Sequence, residues 1–227
     1  MAAPLTIDQD LATPSLDGVE IPSHAQTDRA RRKSRIAAAA HGAYALWLVF
    51  LFIAGSLGLS VLPEPTLTFV DIAFGIAVFV AFMVWVYEAY RIAGMLSRYP
   101  MDSTPGWAVG VYIIPIANLW LPFKRMQEVD AASSESAEVT YDPRGRNAAL
   151  LGVWWAFWVA SAVLVQVYTR FMPENAWLGL AGGVATLVSS VLSALVAIRL
   201  HDAQEAQADR LAAAAEETPE ASGARLF

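Results

Sequence analysis

Four long apolar runs alternate with short polar segments along the chain, and each is long enough to cross a bilayer as a helix. A hydrocarbon core of about 30 Å requires about 20 apolar residues in helical conformation. The pattern therefore predicts an all-α integral membrane protein with four transmembrane helices. The runs are Ala37–Leu62, Leu67–Tyr87, Ala148–Tyr168 and Ala176–Ile198.

The connections divide these runs into two pairs. Pro63-Glu64-Pro65-Thr66 predicts a tight turn after the first run, and Arg170–Asn175 predicts another after the third. The second helix meets no breaker until about Arg98. Some 30 helical residues span about 45 Å, so its last turns are expected to project beyond the membrane. The fourth helix is expected to continue to Ala215.

The basic residues orient the helices. If only these four runs cross, every one of the 15 Lys and Arg residues except Arg170 lies on the same side. Cytoplasmic segments carry such an excess of Lys and Arg. Both termini are therefore expected in the cytoplasm, with the first helix acting as an uncleaved signal anchor. Residues 1–35 are expected to form a disordered tail with a basic juxtamembrane end, 36–200 the membrane domain, and 201–227 a helical extension with a disordered tail.

The apolar segment 105–123 could be mistaken for a fifth span. Crossing there would move seven basic residues outside and leave eight inside, which removes the charge bias. Pro115 also interrupts helical hydrogen bonding. We expect two half-helices broken around Pro115–Asn118, either re-entrant from the cytoplasmic side or lying in the interface. A helix at about Pro122–Ala132 is expected to follow, within a cytoplasmic linker that covers 124–147.

Composition narrows the chemistry. The chain is 56% hydrophobic and 16% charged, against about 25% charged residues in a soluble domain. It has no cysteine, which excludes disulfides, thiolate metal sites and cysteine nucleophiles. A pI near 5.0 argues against a nucleic-acid partner. No protease, hydrolase or nucleotide-binding motif occurs, so we expect neither an enzyme nor a cofactor.

Few polar residues fall within the runs, where they are the first functional candidates. Asp71 lies about one turn inside the second run and fits an interfacial acid near a helix N-terminus. Glu88 and Arg91 have the i, i+3 spacing of a local helix pair and could alternatively clamp segment 105–123. His41 and His201 are expected near the cytoplasmic surface, where they could together hold a haem or metal.

Small residues mark the fourth run. Gly179-x-x-x-Gly183 has the spacing that lets membrane helices approach closely, so its first expectation is packing within the bundle. Three serines follow and could instead line a path for a polar substrate. They are Ser189, Ser190 and Ser193.

The stretch from Val84 to Ser133 resembles a bacterial membrane-protein family described only as domain of unknown function 4328. The resemblance extends over roughly Ala37 to Leu200 and implies a multi-span bacterial membrane protein, without catalytic residues. We expect Asn118 to satisfy backbone groups freed at the helix break and Trp107 to lie at headgroup level. The matching positions are Trp85, Tyr87, Arg91, Pro105, Trp107, Gly110, Tyr112, Pro115, Asn118, Leu119, Pro122, Phe123, Trp154 and Trp155.

The leading functional hypothesis is a non-enzymatic scaffold in the bacterial cytoplasmic membrane. Its expected partners are the lipid bilayer and a membrane or cytoplasmic protein. Its candidate residues are Glu88, Arg91, Trp107, Pro115, Asn118 and Pro122. One alternative is an oligomeric component for small-solute or ion transport, because transporters build sites at broken helices. A second alternative is a haem- or metal-binding protein. A packed Asn118 favours the scaffold, and a cavity at Asn118 favours transport.

Overall fold

The computed structural model describes residues 19–59, 62–134 and 145–223, with side chains as far as residue 216. Within these ranges the chain is helical and contains no strand. The predicted all-α class, with four helices long and apolar enough to cross a membrane, is confirmed. The elements are α1 (His24–Ser56), α2 (Glu64–Leu96), α3 (Pro105–Gly110), a 3-10 turn (Ala117–Leu119), α4 (Leu121–Ala132), α5 (Ala148–Phe171) and α6 (Ala176–Gly223).

The four long helices pack with α1 and α6 at the centre. Helix α1 contacts both α2 and α6, and α5 contacts α6, whereas in the described residues the backbones of α2 and α5 largely stay apart and aromatic side chains bridge them. Two side-chain contacts fix α1 antiparallel to α2: Lys33 with Glu88 near one end and Trp47 with Asp71 toward the other. A gap is therefore left between α2 and α5.

The two ends of the bundle differ in charge. The basic end, as we call it, is where α1 and α5 begin and α2 finishes; it holds Arg31, Arg35, Arg91 and Arg125. The opposite end is formed by the connections after α1 and after α5. Among the described residues, Arg170 is the basic residue near that end.

Segment 105–134 fills the basic half of the gap between α2 and α5. Helix α3 packs on α2, and α4 contacts both α2 and α5. Thr104 caps α3 by accepting the backbone N–H of Trp107 at 3.3 Å. Beyond Gly110 the chain forms turns rather than a continuous helix, as the break around Pro115 predicts. The second expected half-helix is only the 3-10 turn at Ala117–Leu119.

Helix α1 begins well before the boundary expected from the sequence. The tail was expected to be disordered through residue 35, but α1 starts at His24. Ser23 and Gln26 form a capping box there, and Ala30 is buried with Ile92 and Leu211. The polar composition of this segment gave no sign of these contacts with α2 and α6. The disorder expected for 1–18 lies outside the described residues.

The opposite terminus is also more helical than expected. Helix α6 continues to Gly223 rather than ending near Ala215. Gln204 donates to the backbone oxygen of Ala89 at 2.7 Å, which holds this extension against α2. The connection over 135–144 and the last four residues lie outside the described part of the chain.

Candidate functional site

A cavity of about 330 Å³ lies in the middle of the bundle, where α2 and α5 separate. Its apolar walls come mainly from α2 and α5 and include Val78, Phe79, Phe82 and Trp158. Polar side chains from four different elements also line it. They are His41, Tyr44, Asn118, Ser161, Thr186, Ser189, Ser190 and Ser193.

His41 is the most unusual of these side chains. Its residue is 5% exposed, and neither ring nitrogen has a hydrogen-bond partner within the described part of the chain. Phe82 meets the imidazole edge to face, with ring centroids 5.2 Å apart. A buried polar group without a partner costs about 1–3 kcal/mol. The imidazole therefore offers unused hydrogen-bonding capacity to anything that enters the cavity.

Asn118 reaches the same cavity from the 3-10 turn. Its backbone N–H donates to the oxygen of Ile114 at 2.8 Å, and the neighbouring Leu119 oxygen accepts the Trp155 indole N–H at 3.3 Å. The side-chain oxygen Oδ1 is buried without a partner. We expected this side chain to satisfy freed backbone groups, and for Oδ1 that expectation is wrong. The backbone satisfies itself by local turns, so Oδ1 is left for the cavity.

Hydroxyl groups on α5 and α6 supply acceptors. Ser193 accepts the indole N–H of Trp154 at 2.9 Å and donates to the backbone oxygen of Ser189 at 2.8 Å. Thr186 and Ser161 likewise donate to carbonyl oxygens of their own helices, at 2.9 and 2.8 Å. A hydroxyl has one donor and two acceptor sites. Because these donors are used within the helices, the hydroxyl oxygens present mainly acceptors to a ligand.

Aromatic rings close the cavity on its basic side. Phe82 contacts Trp154 and Trp158, with centroids 6.1 and 5.9 Å apart, and Tyr112 packs against both Phe82 and Trp158. On the side away from the basic end the cavity is less fully enclosed, because Ala162, which lines it, is exposed. The cavity is therefore closed toward the basic end and accessible through the gap between α2 and α5.

Of the described residues, those that line the cavity include no aspartate, glutamate, lysine or arginine. Asp71 is linked to the cavity indirectly: it accepts the Trp47 indole N–H at 3.1 Å and interacts with Tyr44, which lines the cavity. Asp71 thus stands behind Tyr44 rather than at the wall. The cavity is polar but carries no fixed charge.

The sequence model of the family described as Domain of unknown function (DUF4328) matches residues 53–203. The chain belongs to this family. The resemblance drawn from its central motif is thereby confirmed. No curated protein and no solved structure matches the chain.

The DUF4328 region contains most of the cavity lining, but His41 and Tyr44 lie before residue 53. The motif residues of the region are spread over different surroundings. Asn118 alone of the six motif candidates lines the cavity. Trp107 and Pro115 are exposed, whereas Pro122 is buried in the first turn of α4.

Glu88 and Arg91 lie at the basic end, away from the cavity. Glu88 is 2% exposed and accepts Arg91 Nη2 at 2.6 Å and Lys33 Nζ at 2.8 Å. Burial alone raises the pKa of this carboxyl, but hydrogen bonds and the charges of Arg91 and Lys33 hold it below its ordinary value. The bond from Lys33 therefore ties α1 to α2, whereas Arg91 pairs with Glu88 within α2.

The alternative role for Glu88 and Arg91 was a clamp on segment 105–123. Among the described residues, their hydrogen bonds and ion pairs go to each other, to Lys33 and to Met95 rather than to that segment. The contact that holds the following helix α4 to α2 is made by other residues. Tyr90 donates its hydroxyl to Glu128 at 2.5 Å, and Arg125 pairs with the same carboxylate. None of these three residues was a candidate from the sequence.

The two histidines of the metal hypothesis are separated. His41 lines the cavity beside Ser193, whereas His201 lies eight residues further along α6, about 12 Å toward the basic end. They face different pockets rather than lying at similar depth, as the sequence had suggested. Within the described residues, no group of three or more His, Cys, Asp or Glu side chains could hold a metal ion.

Proposed function

We propose that the chain is a solute-transport component of the bacterial cytoplasmic membrane that binds a small uncharged polar molecule in the central cavity. One observation carries the proposal. His41 and Asn118 bring unpartnered polar groups to the same cavity inside an apolar helix bundle. Polar groups are costly at membrane depth and mark substrate pathways there. A ligand that hydrogen-bonds to them would offset that cost.

The chemistry of the wall argues for an uncharged ligand. With no fixed charge in the lining, an ion would enter an apolar bundle without a counter-charge, which is strongly unfavourable. A neutral molecule with hydroxyl or amide groups can donate to the serine oxygens and bond with His41. Phe79, Phe82 and Trp158 then contact its apolar surface.

The direction of access follows from the proposed orientation. With the basic end in the cytoplasm, the rings of Phe82, Trp154 and Trp158 form a closed cytoplasmic floor. Segment 105–123 is then re-entrant, because Asn118 lies beside Trp158, ten residues inside α5. Passage requires this floor to open, which is how alternating access proceeds at broken helices.

The scaffold hypothesis calls for a packed Asn118, so the cavity favours the transport alternative over it. A haem or metal shared by His41 and His201 has no support from their positions in separate pockets. Oligomerisation, a protein partner and the absence of an enzymatic activity stay predictions.

The absence of native cysteine makes access directly measurable. In Asn118→Cys and Ser189→Cys, a membrane-impermeant thiol reagent should label from the outside and not from the cytoplasm. Ala197→Cys, fully buried on α6, serves as the control and should resist labelling from both sides. Absence of labelling at Asn118→Cys and Ser189→Cys from either side would contradict an accessible cavity.

Transport itself is tested in proteoliposomes with glycerol as the probe. The protein should accelerate glycerol entry, followed by light scattering, and leave potassium chloride entry unchanged. Ser189→Leu, which places an apolar side chain in the cavity, should abolish the acceleration. Glycerol entry that is equal in the wild type and Ser189→Leu would contradict the proposal.

A further inference from the structure

A second pocket, of about 370 Å³, lies between α1 and α6 at the basic end. Its polar lining comes from Arg31, Ser34, Arg35, His201, Asp202 and Glu205. A neighbouring hollow of about 360 Å³ shares Arg31 and Arg35 and adds Arg32. Arginine side chains from two successive turns of α1 thus converge on one surface. This surface is separate from the central cavity.

His201 supplies the evidence that the pocket is built for a ligand. The residue is 6% exposed, and neither ring nitrogen has a hydrogen-bond partner among the described residues. Glu205 Oε2 lies 3.7 Å from Nε2, which is too far for a hydrogen bond. Burial is the largest cause and lowers the pKa of His201; the charge of Asp202 opposes it, and the charges of Arg31 and Arg35 lower the pKa further. Neutral at pH 7, the imidazole offers one N–H donor.

Arg35 supplies a charge that the protein does not use. It is exposed and forms no ion pair among the described residues, whereas Arg31 is paired with Glu205 and lies 3.8 Å from Asp28. A guanidinium presents a planar fork of donors that matches phosphate oxygens. The pocket therefore combines a free guanidinium with an unpartnered imidazole.

The height of the pocket on the bundle indicates where its ligand comes from. Ser34 donates to the Ala197 oxygen at 2.8 Å, which fixes α1 against α6 at this level. One turn beyond, the surface is apolar and exposed, at Ile36, Ala39 and Ile198. The pocket thus lies where charged surface gives way to apolar surface, the level of lipid headgroups in a membrane.

We propose that this pocket binds the phosphodiester group of an anionic phospholipid, with Arg35 and His201 as its principal contacts. The lipid chains then cover Ile36, Ala39 and Ile198. The carboxylates of Asp202 and Glu205 stand in the same pocket and disfavour a doubly charged phosphate. A phosphodiester carries a single negative charge, whereas a phosphate monoester carries about -1.5 to -2 at pH 7. A lipid is therefore favoured over free phosphate.

The test compares two arginines at one depth. Full-length protein is equilibrated with mixed vesicles of phosphatidylglycerol and phosphatidylcholine, and retained phosphatidylglycerol is counted by native mass spectrometry. Arg199 lies beside Ile198 on α6, is exposed and does not line the pocket. Arg199→Gln should lose only the general attraction to anionic lipid, about fivefold at most. Arg35→Gln should lose about tenfold more, because a charge-assisted hydrogen bond is also lost.

Equal losses in Arg35→Gln and Arg199→Gln would overturn the site and leave only general attraction. His201→Phe fills the pocket without changing charge at neutral pH and should reduce retention as Arg35→Gln does; unchanged retention would also overturn it. Inorganic phosphate at millimolar concentration should not displace the lipid. Displacement would show a free-phosphate site instead. Glycerol entry should be unaffected by Arg35→Gln, so this test is independent of the transport proposal.

Discussion

The indole N–H of Trp154 on α5 donates to the hydroxyl oxygen of Ser193 on α6 across 2.9 Å. Both residues are fully buried. The bond joins the two helices at the base of the cavity, and the Ser193 hydroxyl in turn donates a hydrogen bond to the Ser189 backbone oxygen. The floor of the cavity is therefore held by a directional contact as well as by ring packing.

Trp154→Phe removes this donor and some ring volume. We expect a loss of about 2–4 kcal/mol in stability, because a buried hydrogen bond and buried apolar contacts are lost together. Thermal unfolding in detergent measures it. Trp177→Phe is the control: Trp177 is 80% exposed and its replacement should leave the unfolding temperature unchanged. Equal shifts in the two variants would contradict this role of Trp154.

The two glycines of the G-x-x-x-G motif should respond in opposite directions. A Cβ at Gly179 would meet the Tyr168 ring at 3.0 Å, whereas a Cβ at Gly183 meets nothing within 4 Å. Gly179→Ala should therefore destabilise by about 1–2 kcal/mol through overpacking. Gly183→Ala should gain up to about 1 kcal/mol from helix propensity. Unfolding temperatures in one detergent check both, and a matching sign would refute the assignment.

Glu88 provides a test of the ion pairs at the basic end. Glu88→Gln should cost about 3 kcal/mol, near the lower limit for breaking a buried pair, because Lys33 and Arg91 keep 25% and 29% of their side chains exposed. Glu64→Gln, at the exposed start of α2, should be neutral. Chemical unfolding at pH 7 distinguishes the two, and a neutral Glu88→Gln would contradict the proposed tie between α1 and α2.

The same carboxylate predicts an acid dependence. Its folded pKa lies below its ordinary value of about 4.5, so its contribution is complete above that pH and is lost as the pH falls through the folded pKa. The wild type should lose stability below about pH 4.5 more steeply than Glu88→Gln. Parallel pH profiles of the two proteins would contradict the sign of this shift.

His41→Phe separates stability from binding. The substitution removes two buried nitrogens without partners, so we expect an unchanged or slightly raised unfolding temperature. Glycerol entry should nevertheless be lost, since the cavity loses its hydrogen-bonding imidazole. A functional side chain that costs stability is a common trade-off. Full transport in His41→Phe would exclude His41 from the solute site.

Much of the architecture could be predicted from the sequence. The length of the apolar runs identified four helices that are long and apolar enough to cross a membrane, whereas the side on which the basic residues would place segment 105–123 stays a prediction. Pro115 indicated where regular helix ends. These features depend on local chemistry: apolar length, charge, and the missing N–H of proline. They need no knowledge of which helix neighbours which.

The cavity could not be predicted in the same way. In a water-soluble helix, apolar periodicity identifies the buried face, but in this bundle the lipid-facing residues are apolar too. Phe82 is fully buried and Val80 is exposed, although both are apolar. The rotation of each helix is therefore not readable from the pattern. For this reason His41 and Asn118 could be named as candidates separately but not placed at one site.

The start of α1 could not be predicted for a different reason, the polar composition of its first residues. Residues 24–35 are polar and charged, which locally favours disorder. Their helix is stabilised by contacts of Ala30 and Ser34 with distant parts of the chain. Of these contacts, the one between Ala30 and Leu211 depends on the extension of α6 beyond Ile198.

The tryptophans of the cavity floor also make the protein its own optical reporter. Trp154, Trp155 and Trp158 lie with ring centroids 5.6 to 6.4 Å apart, and of the three only Trp158 borders the cavity. The wavelength of its emission maximum depends on whether water or solute occupies the cavity, whereas Trp154 is not in contact with the cavity. Rings this close exchange excitation energy, so quenching at Trp158 also lowers the fluorescence of its neighbours. Occupancy of the cavity can thus be followed in unlabelled protein through its tryptophan fluorescence.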